Sequence, residues 1–233
     1  MDEIKAAINV QIPVPVAHGV ARIRMSFATQ HILAARRLAL AVHKLEKENR
    51  ANPSDDVLQD VLAHVPAVIM LSIASLEAYL NEIVDGGPTS FPAQSAELVQ
   101  EALMFIERAK MREKIDFLPV LNGRSKPDFG SKPAQDVGHL IELRNALVHF
   151  HPEWWGEDNP HTKLGKRLVT IFKPNPFYDE GVPLFPMRCL GYGCAKWAVE
   201  TVRDFTIGYA DANGWPCGLK DQLSTLTLPA DAT

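Results

Sequence analysis

Arg144, Asn145, His149 and His151 stand close together in the chain, at the end of a mostly apolar stretch. Histidine can take or give a proton near neutral pH, because its ordinary pKa is ~6.5. Arginine stays protonated and cannot act as a base, but its planar guanidinium suits phosphate oxygens. Such a set has the groups that cleavage of a phosphodiester without a metal would need. His149 would move the proton, Arg144 would stabilise charge on the phosphate, and Asn145 would orient the phosphate or a neighbouring side chain.

The segment 141–152 has the pattern of a helix that ends before Pro152. Its apolar residues cover too much of the circumference for a solvent-facing helix, so some polar side chains must lie against protein. A buried arginine is unfavourable unless it is paired, which predicts a site at Arg144. On an ideal helix, residues five apart point ~140° away from each other, so Arg144 and His149 of one chain do not face the same way.

The spacing of Arg144, Asn145 and His149 resembles the motif of the HEPN superfamily, the helical domains of prokaryotic toxins and defence-linked ribonucleases. A second segment, Ser72 to Ile83, is similar to the small-x-Leu-Glu-Ala-aromatic-Leu-Asn-Glu helix of HEPN-like families. The resemblance covers about Met25 to Tyr209 and is firm at these two segments. It implies an all-α bundle, an RNA substrate, and a homodimer that gathers both motifs in a shared cleft.

The second segment also suggests supporting residues. Glu77 and Asn81 lie one turn apart on one face of their helix. The resemblance, and the need of a buried arginine for a partner, predict that Glu77 contacts Arg144, with Asn81 in support. Such a pair would either hold the guanidinium ready or neutralise it as a structural ion pair. His151 stands where some HEPN members have a tyrosine, and it would act as a substitute hydrogen-bonding group or mark different chemistry.

The charge balance limits how RNA could be bound. The net charge is −4, and the pI of about 6.1 argues against broad electrostatic capture of nucleic acid. An RNA substrate must then meet a local basic patch or a dimer cleft. The basic residues Arg124 and Lys126, in a loop dense in turn residues, are candidates for the edge of such a cleft.

Cysteine usage and the amino terminus predict a reduced, cytoplasmic protein. Cys189, Cys194 and Cys217 form an odd set without a CxxC pair, and the first residues lack the pattern of a secretion signal. No histidine and cysteine pair has a recognised zinc spacing, and Gly191-Tyr192-Gly193 lacks the rest of a dinucleotide fingerprint. We therefore expect neither a metal nor a cofactor.

The predicted fold is all-α, a bundle of about five helices in a single domain over residues 1–233. Periodicity and capping signals predict helices over 25–50, 55–84, 95–117, 133–150 and 188–212, and Ser54 is the expected N-cap of the second. The apolar stretch 61–80 is interrupted by His64, Pro66 and Glu77, which predicts a core helix and no membrane span. The remaining segments are an extended arm (1–23), a proline-rich irregular insertion (151–187) that allows a small strand pair, and a poorly ordered tail (219–233).

Two hypotheses follow for function. The first is a HEPN-like ribonuclease or toxin-type protein that acts on RNA through Arg144 and His149. The second is a catalytically inactive HEPN-like binding or assembly module in a prokaryotic defence or stress system, whose partner would be an antitoxin or a defence-system protein. The acidic net charge, His151 in place of tyrosine, and neutralisation of Arg144 by Glu77 would favour the second. Burial of Arg144 and His149 without a cleft would favour it too, whereas a groove with basic edges would favour the enzyme.

Overall fold

The computed structural model describes residues 26–152, 154 and 160–230. Over these residues the protein consists of helices joined by turns and loops and contains no strand, which confirms the all-α prediction for this part of the chain. The predicted arm, 1–23, lies outside the described residues. Eight α-helices follow one another in the described residues: α1 (Ala28–Asn49), α2 (Asp55–Asp85), α3 (Ala96–Ile106), α4 (Met111–Leu121), α5 (Ala134–Val148), α6 (Pro160–Leu168), α7 (Tyr192–Asn213) and α8 (Lys220–Ser224).

Helix α2 lies at the centre of the bundle, where it packs against α1, α5 and α7. Ser54 caps its first turn, because its hydroxyl accepts a hydrogen bond from the backbone N–H of Val57 at 3.4 Å. The helix runs without a break through His64 and Pro66, which confirms the prediction of a single helix over 55–84. By length and composition α2 is apolar enough to cross a membrane, but its packing inside the bundle is that of a core helix.

The prediction of about five helices is too low, partly because the segment 95–117 divides into α3 and α4. Lys110 is extended (φ −63°, ψ 154°) and starts α4, and its backbone N–H donates to the carboxylate of Glu113 at 2.8 Å. The usual sequence signal for such a start is Ser, Thr, Asp or Asn at the N-cap. Because lysine is not among these residues, the sequence does not predict that a helix begins after Lys110.

The described residues of the segments 151–187 and 219–233 contain more helix than predicted. The insertion contains α6, followed by an irregular turn at Leu184–Arg188, and no strand pair occurs in its described residues. The predicted poorly ordered tail is wrong for residues 219–230. Leu219, Leu223 and Leu226 are buried, and they attach α8 to the core that the other helices share. These leucines repeat at helical spacing, which is enough to bury one side of a short helix.

Cys189, which follows the turn Leu184–Arg188, and Cys194, in the first turn of α7, are fully buried in the core. Burial raises the pKa of both thiols, so they remain protonated and unreactive near neutral pH.

Because these two thiols are buried, we expect the free energy of unfolding to fall at alkaline pH. In the unfolded chain a thiol loses its proton above about pH 8.5, whereas in the folded protein both stay protonated to higher pH. Raising the pH therefore favours the unfolded state, and the free energy of unfolding should fall by up to about 1.4 kcal/mol per pH unit for each thiol. Urea denaturation between pH 8 and 10 measures this slope. Cys189→Ala with Cys194→Ala should flatten it, and a flat profile in the parent protein would contradict the prediction.

Candidate functional site

Arg144 lies towards the buried side of α5, next to the core residues Leu140 and Leu143. Its side chain is half-buried, and its Nε atom is buried without a hydrogen-bond partner among the described residues. Glu77 is exposed on α2, and no ion pair joins it to Arg144. The predicted contact between Glu77 and Arg144 is therefore not formed, and no described carboxylate neutralises the guanidinium.

Asn81, the second supporting residue on α2, has a different contact. Its Oδ1 accepts a hydrogen bond at 2.8 Å from the ammonium of Lys114, a buried side chain of α4. A buried cation needs such an acceptor, since burial without one is costly. Asn81 therefore holds α2 to α4 in this structure.

His149 lies at the carboxyl end of α5. It is the C-cap residue (φ −107°, ψ 42°), and its backbone N–H donates to the carbonyl of Asn145 at 2.9 Å. His149 and Asn145 are exposed and share the solvent-facing side of the helix with Glu142, because positions three and seven apart lie on one face. His151 follows in an exposed, non-helical segment. Within one chain the exposed His149 and the half-buried Arg144 belong to different sides of α5.

Helix α6 lies alongside the end of α5 that carries His149. Arg167 of α6 forms an ion pair with Glu142 at 3.0 Å. The ring of Phe150, directly after His149, stacks on His161 with 4.9 Å between centroids and 28° between planes. The ring of His161 in turn meets Phe185 edge-on at 4.9 Å. The end of α5, α6 and the turn Leu184–Arg188 thus form one continuous surface, which we call the α5–α6 surface.

This surface is rich in cations, although the whole chain is acidic. Lys163, Lys166 and Arg167 are all exposed on α6. Lys166 and Arg167 occupy its last turn, where the helix dipole favours positive charge. The predicted basic residues, Arg124 and Lys126, belong to the loop before the opposite end of α5, so they are not part of the α5–α6 surface.

Sequence reasoning missed α6 and its basic residues. The helix is short and stands in a segment full of prolines and aromatic residues, which favours an irregular interpretation. Three weak signals were present. Pro160 occupies the first helical position, Leu164 and Leu168 are four apart and buried, and the last turn is basic.

The chemistry available on the α5–α6 surface is proton transfer and phosphate binding. His149 and His151 are exposed imidazoles, and the guanidinium and ammonium groups of α6 suit phosphate oxygens. Among the described residues no three His, Cys, Asp or Glu side chains cluster in a way that could hold a metal ion.

Comparisons of this chain with family models, with curated proteins and with solved structures find no match. The likeness to HEPN domains therefore rests on the two sequence segments around Glu77 and Arg144.

Proposed function

We propose that this chain is a HEPN-like, metal-independent ribonuclease of the toxin or defence type that acts as a cytoplasmic homodimer, with Arg144 and His149 as its catalytic residues. The observation that carries the proposal is the surroundings of His149. This exposed imidazole stands at the end of α5 against which the basic helix α6 packs, and no described carboxylate neutralises the guanidinium of Arg144 in the same helix.

The proposed reaction uses the 2′-hydroxyl of the RNA as nucleophile. His149 takes the hydroxyl proton while the O2′–P bond forms. The P–O5′ bond breaks, and a second imidazole, that of His151, gives a proton to the leaving O5′. Arg144 stabilises the negative charge on the phosphate oxygens during this exchange. The products are a 2′,3′-cyclic phosphate and a 5′-hydroxyl, and no electron transfer is involved.

A dimer supplies the geometry that one chain lacks. Because Arg144 and His149 belong to different sides of α5, a two-fold axis near the end of this helix would bring Arg144 of one protomer towards His149 of the other. Two apolar side chains flank His149 and could be covered in such an interface. Val148 is 50% exposed and Phe150 is 44% exposed.

The test is cleavage of a mixed set of fluorescent RNAs by the purified protein in the presence of EDTA. We expect cleavage that EDTA does not reduce, with 2′,3′-cyclic phosphate ends on the products. The same RNAs with methylated 2′-hydroxyls should remain intact, since they lack the nucleophile. Light scattering and circular dichroism on the same sample report its mass and its folding. No cleavage by a folded dimer would contradict the proposal.

A second candidate is a HEPN-like binding module without activity, whose partner is an antitoxin or a defence-system protein. The observation that favours it is a set of exposed large apolar side chains on α3 and α4: Leu98, Met104, Phe105, Phe117 and Val120. Exposed apolar surface of this kind marks many protein interaction sites. A folded protein that cuts no RNA would favour this candidate over the ribonuclease.

A further inference from the structure

A cavity of about 510 Å³ lies between α6 and the turn Leu184–Arg188. This volume falls in the range of roughly 300–1,000 Å³ that small-molecule sites occupy. Its lining combines apolar surface with a few polar groups. The residues that the inference uses are His161, Lys166, Val169, Phe185 and Arg188.

The walls of the cavity are held in place by packing. Phe185 is only 2% exposed, and its ring is fixed by the edge-on contact with His161. A Cβ atom on Gly165 would lie 3.5 Å from the backbone nitrogen of Phe185, so α6 and the turn are already in close contact there. Arg188 secures the rim, because its Nη1 donates to the carbonyls of Glu180 at 2.8 Å and Val182 at 3.1 Å. The cavity is therefore preformed.

The charge at the cavity favours an anion. Lys166 is exposed and has no ion-pair partner among the described residues, and Arg188 adds a second cation. The carboxylate in the lining belongs to Glu180, whose side chain is exposed. A ligand with a flat apolar part and a negative charge matches this combination of an aromatic wall and a lysine.

The position of the cavity ties it to His149. Phe150 follows His149 in the chain and stacks on His161, and His161 contacts Phe185 in the cavity wall. His161 lines the cavity and is only half-buried, so its ring offers a surface to a base of a single strand, while the cations beside it hold the phosphates.

We propose that this cavity is a nucleotide subsite, in which a base lies against His161 and Val169 while Lys166 binds the attached phosphate. The subsite deepens the proposed ribonuclease function and rests on it for the identity of the ligand as part of an RNA strand. A free nucleotide presents the same chemistry. In the strand, binding here places a neighbouring phosphodiester at His149.

Binding is tested apart from cleavage, with fluorescein-labelled single-stranded RNA whose 2′-hydroxyls are methylated. Fluorescence anisotropy in EDTA compares Lys166→Glu and Val169→Phe with the parent protein. Val169 lines the cavity and is 52% exposed, so a phenylalanine can enter the cavity without disturbing the core. The matched controls are Lys44→Glu on α1 and Val120→Phe on α4, which alter equally exposed positions outside the cavity lining.

We expect Lys166→Glu to raise the Kd about ten-fold or more and to reduce the slope of log Kd against the logarithm of the salt concentration by about one. Val169→Phe should raise the Kd about five-fold or more and leave the dependence on salt unchanged, because the larger side chain takes up the space of a base. Both controls should stay within about two-fold of the parent. Adenosine 5′-monophosphate should displace the labelled RNA, and inorganic phosphate at the same concentration should not.

Equal binding by the cavity variants and their controls would overturn the subsite, and so would equal competition by phosphate and by the nucleotide. The two proposals fail separately. A parent protein that binds through the cavity and cuts no RNA contradicts the ribonuclease, whereas undiminished cleavage by Val169→Phe contradicts the subsite alone.

Discussion

Replacement of His149 by alanine is expected to lower the rate of RNA cleavage by about 10²- to 10⁴-fold, the usual contribution of a general acid or base. The side chain is exposed at the end of α5, so its removal should leave the fold intact. Initial rates on one fluorescent RNA, with circular dichroism on the same samples, measure both effects. His64→Ala is the control, because His64 contacts only the carbonyl of Asp60 among its described polar neighbours and lies near the start of α2. Equal rates in the two variants would remove His149 from the mechanism.

Arg144→Ala should lower the rate as strongly, and mixing it with His149→Ala tests the shared cleft. If Arg144 and His149 of one site come from different protomers, each mixed dimer has one intact site and one that lacks both residues. Random exchange of protomers should then restore about a quarter of the parent activity, since half of the dimers are mixed and each has one of two sites. A mixture as inactive as its components would contradict a site that is built across the two-fold axis.

The sequence predicts α2, α5 and α7 to within a few residues because long periodic patterns and ordinary caps mark them. Ser54 is an example, since its side chain accepts the expected hydrogen bond. The division between α3 and α4 depends on the backbone of Lys110 and the carboxylate of Glu113, a pairing that no common rule singles out. The tail was underestimated because three leucines within a polar segment bury themselves only when the rest of the core is present.

The candidate site was predicted only in part, for a similar reason. Periodicity places Arg144 and His149 on different sides of α5, and their half-buried and exposed positions agree with that. The rotation of α2 about its own axis depends on packing with α1, α5 and α7, and it leaves Glu77 exposed to solvent and away from the arginine. Helix α6 and its cations are placed against the end of α5 by the contacts of Phe150 and Glu142, which are long-range and leave no local pattern.

Gly191-Tyr192-Gly193 shows how a glycine pattern can arise from packing. The N–H of Tyr192 donates at 2.7 Å to the buried carboxylate of Glu46, at the amino end of α7 where negative charge is favourable. The segment after α6 passes very close to this turn. A Cβ atom on Gly191 would lie 2.7 Å from the Cα of Asn175, and one on Gly193 would lie 2.3 Å from the carbonyl oxygen of Lys173. Both glycines are required by close approach of two backbones, and no nucleotide needs to be invoked.

Gly193→Ala is therefore expected to lower the free energy of unfolding by about 1–3 kcal/mol or more, because the rigid carbonyl of Lys173 must move. Gly208→Ala, on the same helix, is the matched control. It has nothing within 4 Å of the added Cβ, and it should raise stability by about 0.5–1 kcal/mol through helix propensity. Urea denaturation of both variants measures the difference in their free energies of unfolding, provided that their m-values are equal. Similar changes in the free energy of unfolding of the two variants would mean that Lys173 does not pack against α7. The segment after α6 would then not restrain the α5–α6 surface.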